Sequence, residues 1–199
     1  MKIRVTKPGK GNKYYIRKAS GGWSPCIKGK PTDKECDVLS NCVGYSIGRV
    51  NEESEEGKIT FFTKSMNAEN FFKNAYKWGM ETGQEPKQGA IMCWSKGKPG
   101  YEKDGAGHVA IVEKVLADNK VYTSESAYNG FAFKNKTRSK GSNGNWGASS
   151  SYHFQGFIYN PHLKDPLPVL PGVDRDESVD QILVKVEDLR DYIRRKVEF

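Results

Sequence analysis

No apolar run in this sequence approaches the roughly 20 residues needed to cross a bilayer, and only 36% of its 199 residues are hydrophobic. A membrane-spanning protein is therefore not expected. The basic start, Met1-Lys2-Ile3-Arg4-Val5-Thr6, is not followed by the apolar stretch of about 7–15 residues that a secretory signal requires. A chain of this kind that works outside the cell making it needs another agent to release it. Cysteine is scarce as well: the four residues Cys26, Cys36, Cys42 and Cys93 are too few to staple a chain of this size. They also lack the paired spacing and distant histidines of a zinc site. Cys26 and Cys36 either pair in an oxidising compartment or remain two reduced thiols. Acid is missing from residues 1–30, which hold nine Lys or Arg and no Asp or Glu.

The charge that is present is lopsided. Residues 163–199 carry seven basic and nine acidic residues, leaving 25 basic against 15 acidic before residue 163, within a net charge of +8 for the chain. A positive body concentrates polyanions at its surface. Nucleic acid, anionic lipid and the teichoic-acid-rich wall of Gram-positive bacteria all qualify.

Length allows one main core with a small appendage. Residues 1–35, rich in Gly, Lys and Pro, read as an irregular opening segment with a short extended stretch at Tyr14-Tyr15-Ile16. Apolar positions 38, 39, 43, 47 and 50 recur at helical spacing, with Ser40 or Asn41 as the cap. A second amphipathic helix is expected from Ala68 to Gly79. Short strands follow at Gly89–Trp94, His108–Val115, Lys120–Ser124 and Phe154–Tyr159, with Gly-rich loops over 95–107 and 136–151. Helices followed by strands indicate an α+β domain, N-terminal helices packed on an antiparallel sheet. That domain is expected over 1–162. A proline-containing linker at 163–177 then leads to a C-terminal segment, 178–199. The last segment places Val179, Ile182, Leu183, Val186, Leu189, Ile193 and Val197 at helix-like intervals, a stripe that needs a partner surface and offers a route to self-association.

A thiol hydrolase needs a thiolate, a base that becomes its counter-cation, a group orienting that base, and donors for an oxyanion. Cys42 stands at a helix start, where unpaired backbone N–H groups and the positive end of the dipole favour thiolate over thiol. His108 opens the strand His-Val-Ala-Ile-Val after Gly105-Ala106-Gly107, a rigid element at a loop mouth. Glu125 lies in the following strand, 17 positions on, where antiparallel pairing can bring it beside the imidazole. The Cys42 backbone N–H and the Asn41 side chain are candidate oxyanion donors. Trp94 and Asn129 are candidate substrate contacts.

Four segments carry a resemblance. They are Asn41-Cys42-Val43-Gly44-Tyr45, the strand Pro86–Trp94, Gly107-His108-Val109-Ala110-Ile111-Val112 and Ser124-Glu125-Ser126. Together they resemble the CHAP family (cysteine, histidine-dependent amidohydrolase/peptidase) found in phage endolysins of Gram-positive hosts, over residues 25–160. The resemblance implies a papain-like α+β fold. It also implies peptidoglycan hydrolysis, as an N-acetylmuramoyl-L-alanine amidase or an endopeptidase, with Cys42 as nucleophile, His108 as base and Glu125 as orienting acid.

Where some members have an asparagine two residues after the acid, this chain has Ala127, so that role is absent or passes to Asn129. Others bind calcium through an acidic loop before the nucleophile. Thr32-Asp33-Lys34-Glu35-Cys36-Asp37 lacks that carboxylate spacing and Lys34 opposes a cation, so the expectation is no cofactor, with calcium as the alternative. Val179–Arg190 is similar to the opening strand of the src-homology-like barrels that target endolysins to the wall, which leaves a truncated module as the alternative to a helix.

The expected partners are peptidoglycan and anionic wall polymers, with neither membrane nor nucleic acid. The expected location is synthesis in a host cytoplasm and action on the wall after release. The reading from another class is a non-enzymatic basic protein binding wall or nucleic acid through Trp23, Trp78, Trp94, Tyr14 and Tyr15. Trp94 in an apolar strand does not suit it.

Overall fold

The structure is a computed structural model that describes residues 1–9, 12, 14–15, 41–55, 66–97, 105–127 and 133–164. The C-terminal segment 178–199, most of the expected linker, the acidic stretch 32–37, Cys26 and Asn129 lie outside the described residues.

Helix α1 runs Cys42–Glu53, on the apolar spacing of Val43, Ile47 and Val50. Of the two caps the sequence offers, Asn41 serves: its Oδ1 accepts the Gly44 backbone N–H at 3.1 Å, satisfying one of the helix's orphan donors. Residues Val43 through Asn51 are all buried, so a charged member of the helix needs a partner. Arg49 is the demanding one. Its Nε and Nη2 donate to the two carboxylate oxygens of fully buried Glu113 at 3.0 and 2.8 Å, and Nη1 donates to Glu52 at 2.9 Å and to Glu53.

Beyond α1 the expected helix over Ala68–Gly79 breaks into three short pieces. A 3-10 turn at Ala68–Asn70 precedes α2 (Phe71–Asn74), and another follows at Ala75–Trp78. Two asparagines explain the break, because Asn74 Nδ2 donates to the Asn70 carbonyl at 2.8 Å and both backbones sit near ψ 0°, a local alternative to helical pairing. Gly79, at φ 68°, closes the stretch in the left-handed conformation.

The strands are β1 (Thr82–Gly83), β2 (Ile91–Lys96), β3 (His108–Leu116), β4 (Lys120–Ser126), β5 (Phe133–Ser139) and β6 (Tyr152–Ile158). They form one sheet in the order β1-β6-β2-β3-β4-β5, and every pair is antiparallel. The molecule is thus α+β, a few short helices with an antiparallel sheet. Alternation along β2 and β3 splits the core between two faces. Ile91, Cys93, Val109 and Ile111 pack with Val43, Tyr45, Ile47 and Phe71 on the helix side. Met92, Trp94, Ala110 and Val112 pack with Trp146 and Phe157 on the other.

A register shift between Val112 and Lys114 re-aims Glu113 within β3, and its carboxylate also accepts the Ser124 hydroxyl at 2.6 Å. One ion pair thus ties α1 to β3 and β4. The sequence reading placed 136–151 in a loop, and the structure corrects it: residues through Ser139 belong to β5. Leu163 and Lys164 remain attached to the end of α1, through a bridge to Ser54 and a 2.8 Å bond from Lys164 N–H to the Glu53 carbonyl.

Removing one partner of a buried pair strands the other charge. Arg49→Met is expected to lower unfolding stability by about 3–5 kcal/mol, measured by denaturant titration; a loss under about 1 kcal/mol would show the pair to be incidental.

Candidate active site

The site forms where the N-terminus of α1 meets the sheet at the start of β3. Cys42 is the first residue of α1, held there by the Asn41 cap. His108 is the first residue of β3 and lies directly opposite Trp94 of β2 in the ladder. The turn delivering it depends on Gly107, at φ +68°, where an added Cβ would lie 2.4 Å from the Trp94 carbonyl oxygen and 2.6 Å from the Glu69 nitrogen. No other residue fits that approach.

His108 Nε2 lies 2.5 Å from Glu125 Oε2, and Cys42 lines the same cleft as the imidazole. With Nε2 engaged by the carboxylate, Nδ1 is the nitrogen left for sulfur. The structure therefore brings together the three residues singled out from the sequence, in the order thiol, imidazole, carboxylate. Burial alone would lower the His108 pKa. The hydrogen bonds with Cys42 and Glu125, and the negative charge of both, outweigh it and raise the value to about 9.

Lys136 and Arg138 stand on β5, not in the loop expected over 136–151, and complete the arrangement. Arg138 of β5, 6% exposed, donates through Nη2 to both Glu125 oxygens at 3.0 and 2.8 Å, and Lys136 Nζ lies 2.7 Å from Glu125 Oε1. Burial alone would raise the Glu125 pKa; the His108 hydrogen bond and the charges of Arg138, His108 and Lys136 hold it far below the ordinary carboxylate range. A signal for these residues existed, since Lys134, Lys136 and Arg138 alternate and so share a strand face. Phe133 is the only apolar residue of β5, which hid the strand from a search for hydrophobic periodicity.

Trp94 closes the arrangement from below. Its ring lies 5.9 Å from that of His108 and carries the Arg138 guanidinium at 4.9 Å, within cation–π range. Its indole N–H is committed to the Asn145 carbonyl at 3.2 Å, so Trp94 offers the cleft an apolar surface rather than a donor. The segment after β5 holds this floor in place: the Trp146 carbonyl accepts Arg138 Nη1 at 3.2 Å, and Trp146 itself sits at φ 52°, a costly conformation for a bulky residue.

These residues line a cleft of about 560 Å³ that also reaches Asn41, Met66, Asn67, Lys96, Lys134 and Tyr152. His153 and His162 do not line it. Asn41 Oδ1 is spent on the helix cap, which leaves its NH2 as the end with donors to offer. Among the described residues no group of three or more His, Cys, Asp or Glu is placed to hold a metal ion.

Residues 32–127 match the family model of the CHAP domain. The match takes in Cys42, His108 and Glu125, and ends before β5. Among solved structures, an N-acetylmuramoyl-L-alanine amidase from Staphylococcus aureus aligns at 23% identity and a TM-score of 0.41, covering 60% of this chain. The chain covers only 30% of that protein's length.

Two outcomes follow from the geometry. By NMR, the His108 ring is expected to titrate near 9 and to titrate lower in Cys42→Ala, where the sulfur's contribution is gone; an unchanged value would break the proposed contact. Arg138→Met frees Glu125 to rotate, so it is expected to lower kcat by about 10–100-fold, whereas Arg138→Lys restores part of it. Equal kcat in all three proteins would show that Arg138 only fills space.

Proposed function

From a chain that carries a CHAP domain, we propose a peptidoglycan hydrolase that cuts an amide bond of the Gram-positive wall by thiol acylation, as phage endolysins do. The observation that carries this reading is the row Cys42, His108, Glu125 in one cleft, with the imidazole bonded to the carboxylate.

The Cys42 thiolate attacks the amide carbonyl, and the resulting oxyanion meets the Cys42 backbone N–H at the helix N-terminus and the Asn41 side chain. His108, as imidazolium, gives its proton to the leaving nitrogen as the C–N bond breaks, and a thioester remains on Cys42. Neutral His108 then takes a proton from water, whose oxygen attacks the thioester and releases Cys42 as thiolate. Glu125, locked by Arg138 and Lys136, keeps the imidazole in one tautomer and orientation throughout. Protein groups supply every step, so the reaction as written calls on no cofactor.

Whether the bond is the amide between muramic acid and L-alanine or one within the stem or cross-bridge is a question of substrate fit beyond the reacting atoms. The surplus of basic residues before residue 163 would hold the enzyme on anionic wall polymers, and release from the producing cell would precede action. Of the aromatics on which the nucleic-acid reading rests, Trp94 and Tyr15 are 1% and 2% exposed and offer bases no accessible ring, Tyr14 and Trp78 are half-buried, and Trp23 lies outside the described residues.

Cys42→Ala is expected to abolish clearing of Gram-positive sacculi while circular dichroism stays native, and lysis by the wild type is expected to weaken as salt screens surface charge beyond about 8–10 Å. Clearing by the alanine variant would end the thiol mechanism, and lysis indifferent to salt would end the electrostatic one.

A further inference from the structure

The cleft holds more positive charge than its chemistry consumes. Among the described residues its lining contains one carboxylate, Glu125, and four fixed cations: Lys96, Lys134, Lys136 and Arg138. Arg138 and Lys136 are engaged with Glu125, as is His108. Lys134 and Lys96 are left over. Both are exposed, and neither has an acidic partner among the described residues; Lys96 Nζ rests 5.6 Å from the Tyr152 ring centroid.

Strand order places these two lysines. Lys96 ends β2, His108 begins β3, Glu125 lies near the end of β4, and Lys134 stands opposite Glu125 on β5. Because β2, β3, β4 and β5 are consecutive in the sheet, Lys96 and Lys134 flank the imidazole and carboxylate on the two sides. The strand alternation gives both the cleft face: Lys96 shares parity with Trp94, and Lys134 with Lys136 and Arg138. A lysine ammonium at the rim of a cleft is a point donor suited to a carboxylate, and a surplus of one sign within a concave site concentrates ligands of the other.

We propose that Lys134 and Lys96 select a peptide substrate bearing a free carboxylate beside the scissile amide, so that the stem is bound by its own charge on either side of Cys42. This rests on the hydrolase reading above and adds the substrate's charge to it. Arg138 and Lys136 position Glu125, whereas Lys134 and Lys96 touch the substrate. Lys96 lies within the matched family range and Lys134 beyond its end.

The test uses soluble muropeptides from purified wall, half of them amidated with carbodiimide and ammonia and half mock-treated, with the full-length protein at constant ionic strength. The wild type is expected to cleave the free-acid form with kcat/KM about three- to tenfold higher, chiefly through KM, the size expected of a charge-assisted contact at a partly exposed site. The variant carrying Lys134→Gln and Lys96→Gln is expected to cleave both forms alike, and Lys134→Arg with Lys96→Arg to recover the preference. Thermal melting checks that the glutamine variant is folded. Equal cleavage of the two forms by the wild type, or a preference that survives in a folded glutamine variant, overturns the inference and leaves the hydrolase reading standing. Cleavage of neither form by the wild type overturns both.

Discussion

The Glu125 carboxylate is the point on which the site depends. Buried at 3% exposure, it costs desolvation energy that must be offset by partners, and it has three: His108 at 2.5 Å, Lys136 at 2.7 Å and Arg138 at 2.8 Å. Each comes from a different position in the sheet, so the carboxylate fixes β3, β4 and β5 to one another as well as fixing the imidazole. With three cations around it, the Glu125 pKa is held far below the ordinary carboxylate range. Its negative charge in turn helps to raise the His108 pKa.

A second polar cluster does the same service for the helix. Arg49, from the middle of α1, grips Glu113 at the irregularity in β3, and Glu113 in turn receives Ser124 of β4. This sets the height of α1 over the sheet, and with it the position of Cys42 relative to His108. The two clusters share β4 at adjacent positions, Ser124 and Glu125, whose side chains point to opposite faces. Structural support and chemistry thus meet on neighbouring residues of one strand, and a disturbance in the first is carried to the second through a displacement of fractions of an ångström, which thiol–imidazole chemistry does not tolerate.

Much of this was legible in the sequence. Helix α1 and four of the strands announced themselves by apolar spacing and Gly-rich boundaries, and the meeting of Cys42, His108 and Glu125 in one cleft could be expected from residue type, order and family resemblance together. The helix expected at Ala68–Gly79 failed because Asn70 and Asn74 bond locally, which a count of apolar positions does not register. Strand β5 was missed because its pairing is carried by backbone and charge, with Phe133 as its only apolar anchor. The residues that hold Glu125 went unnoticed with it. Trp94 was expected at the substrate, and it does line the cleft, but its N–H serves Asn145, a partner 51 positions away that no local pattern reveals.

The central claim, that the Cys42, His108 and Glu125 row cleaves amide bonds of peptidoglycan, is tested most directly by mass spectrometry of the soluble products from purified sacculi. The account predicts new free amines on alanine or on a stem or cross-bridge residue, with no new reducing sugar ends. Products that carry new reducing ends and intact peptides would contradict it.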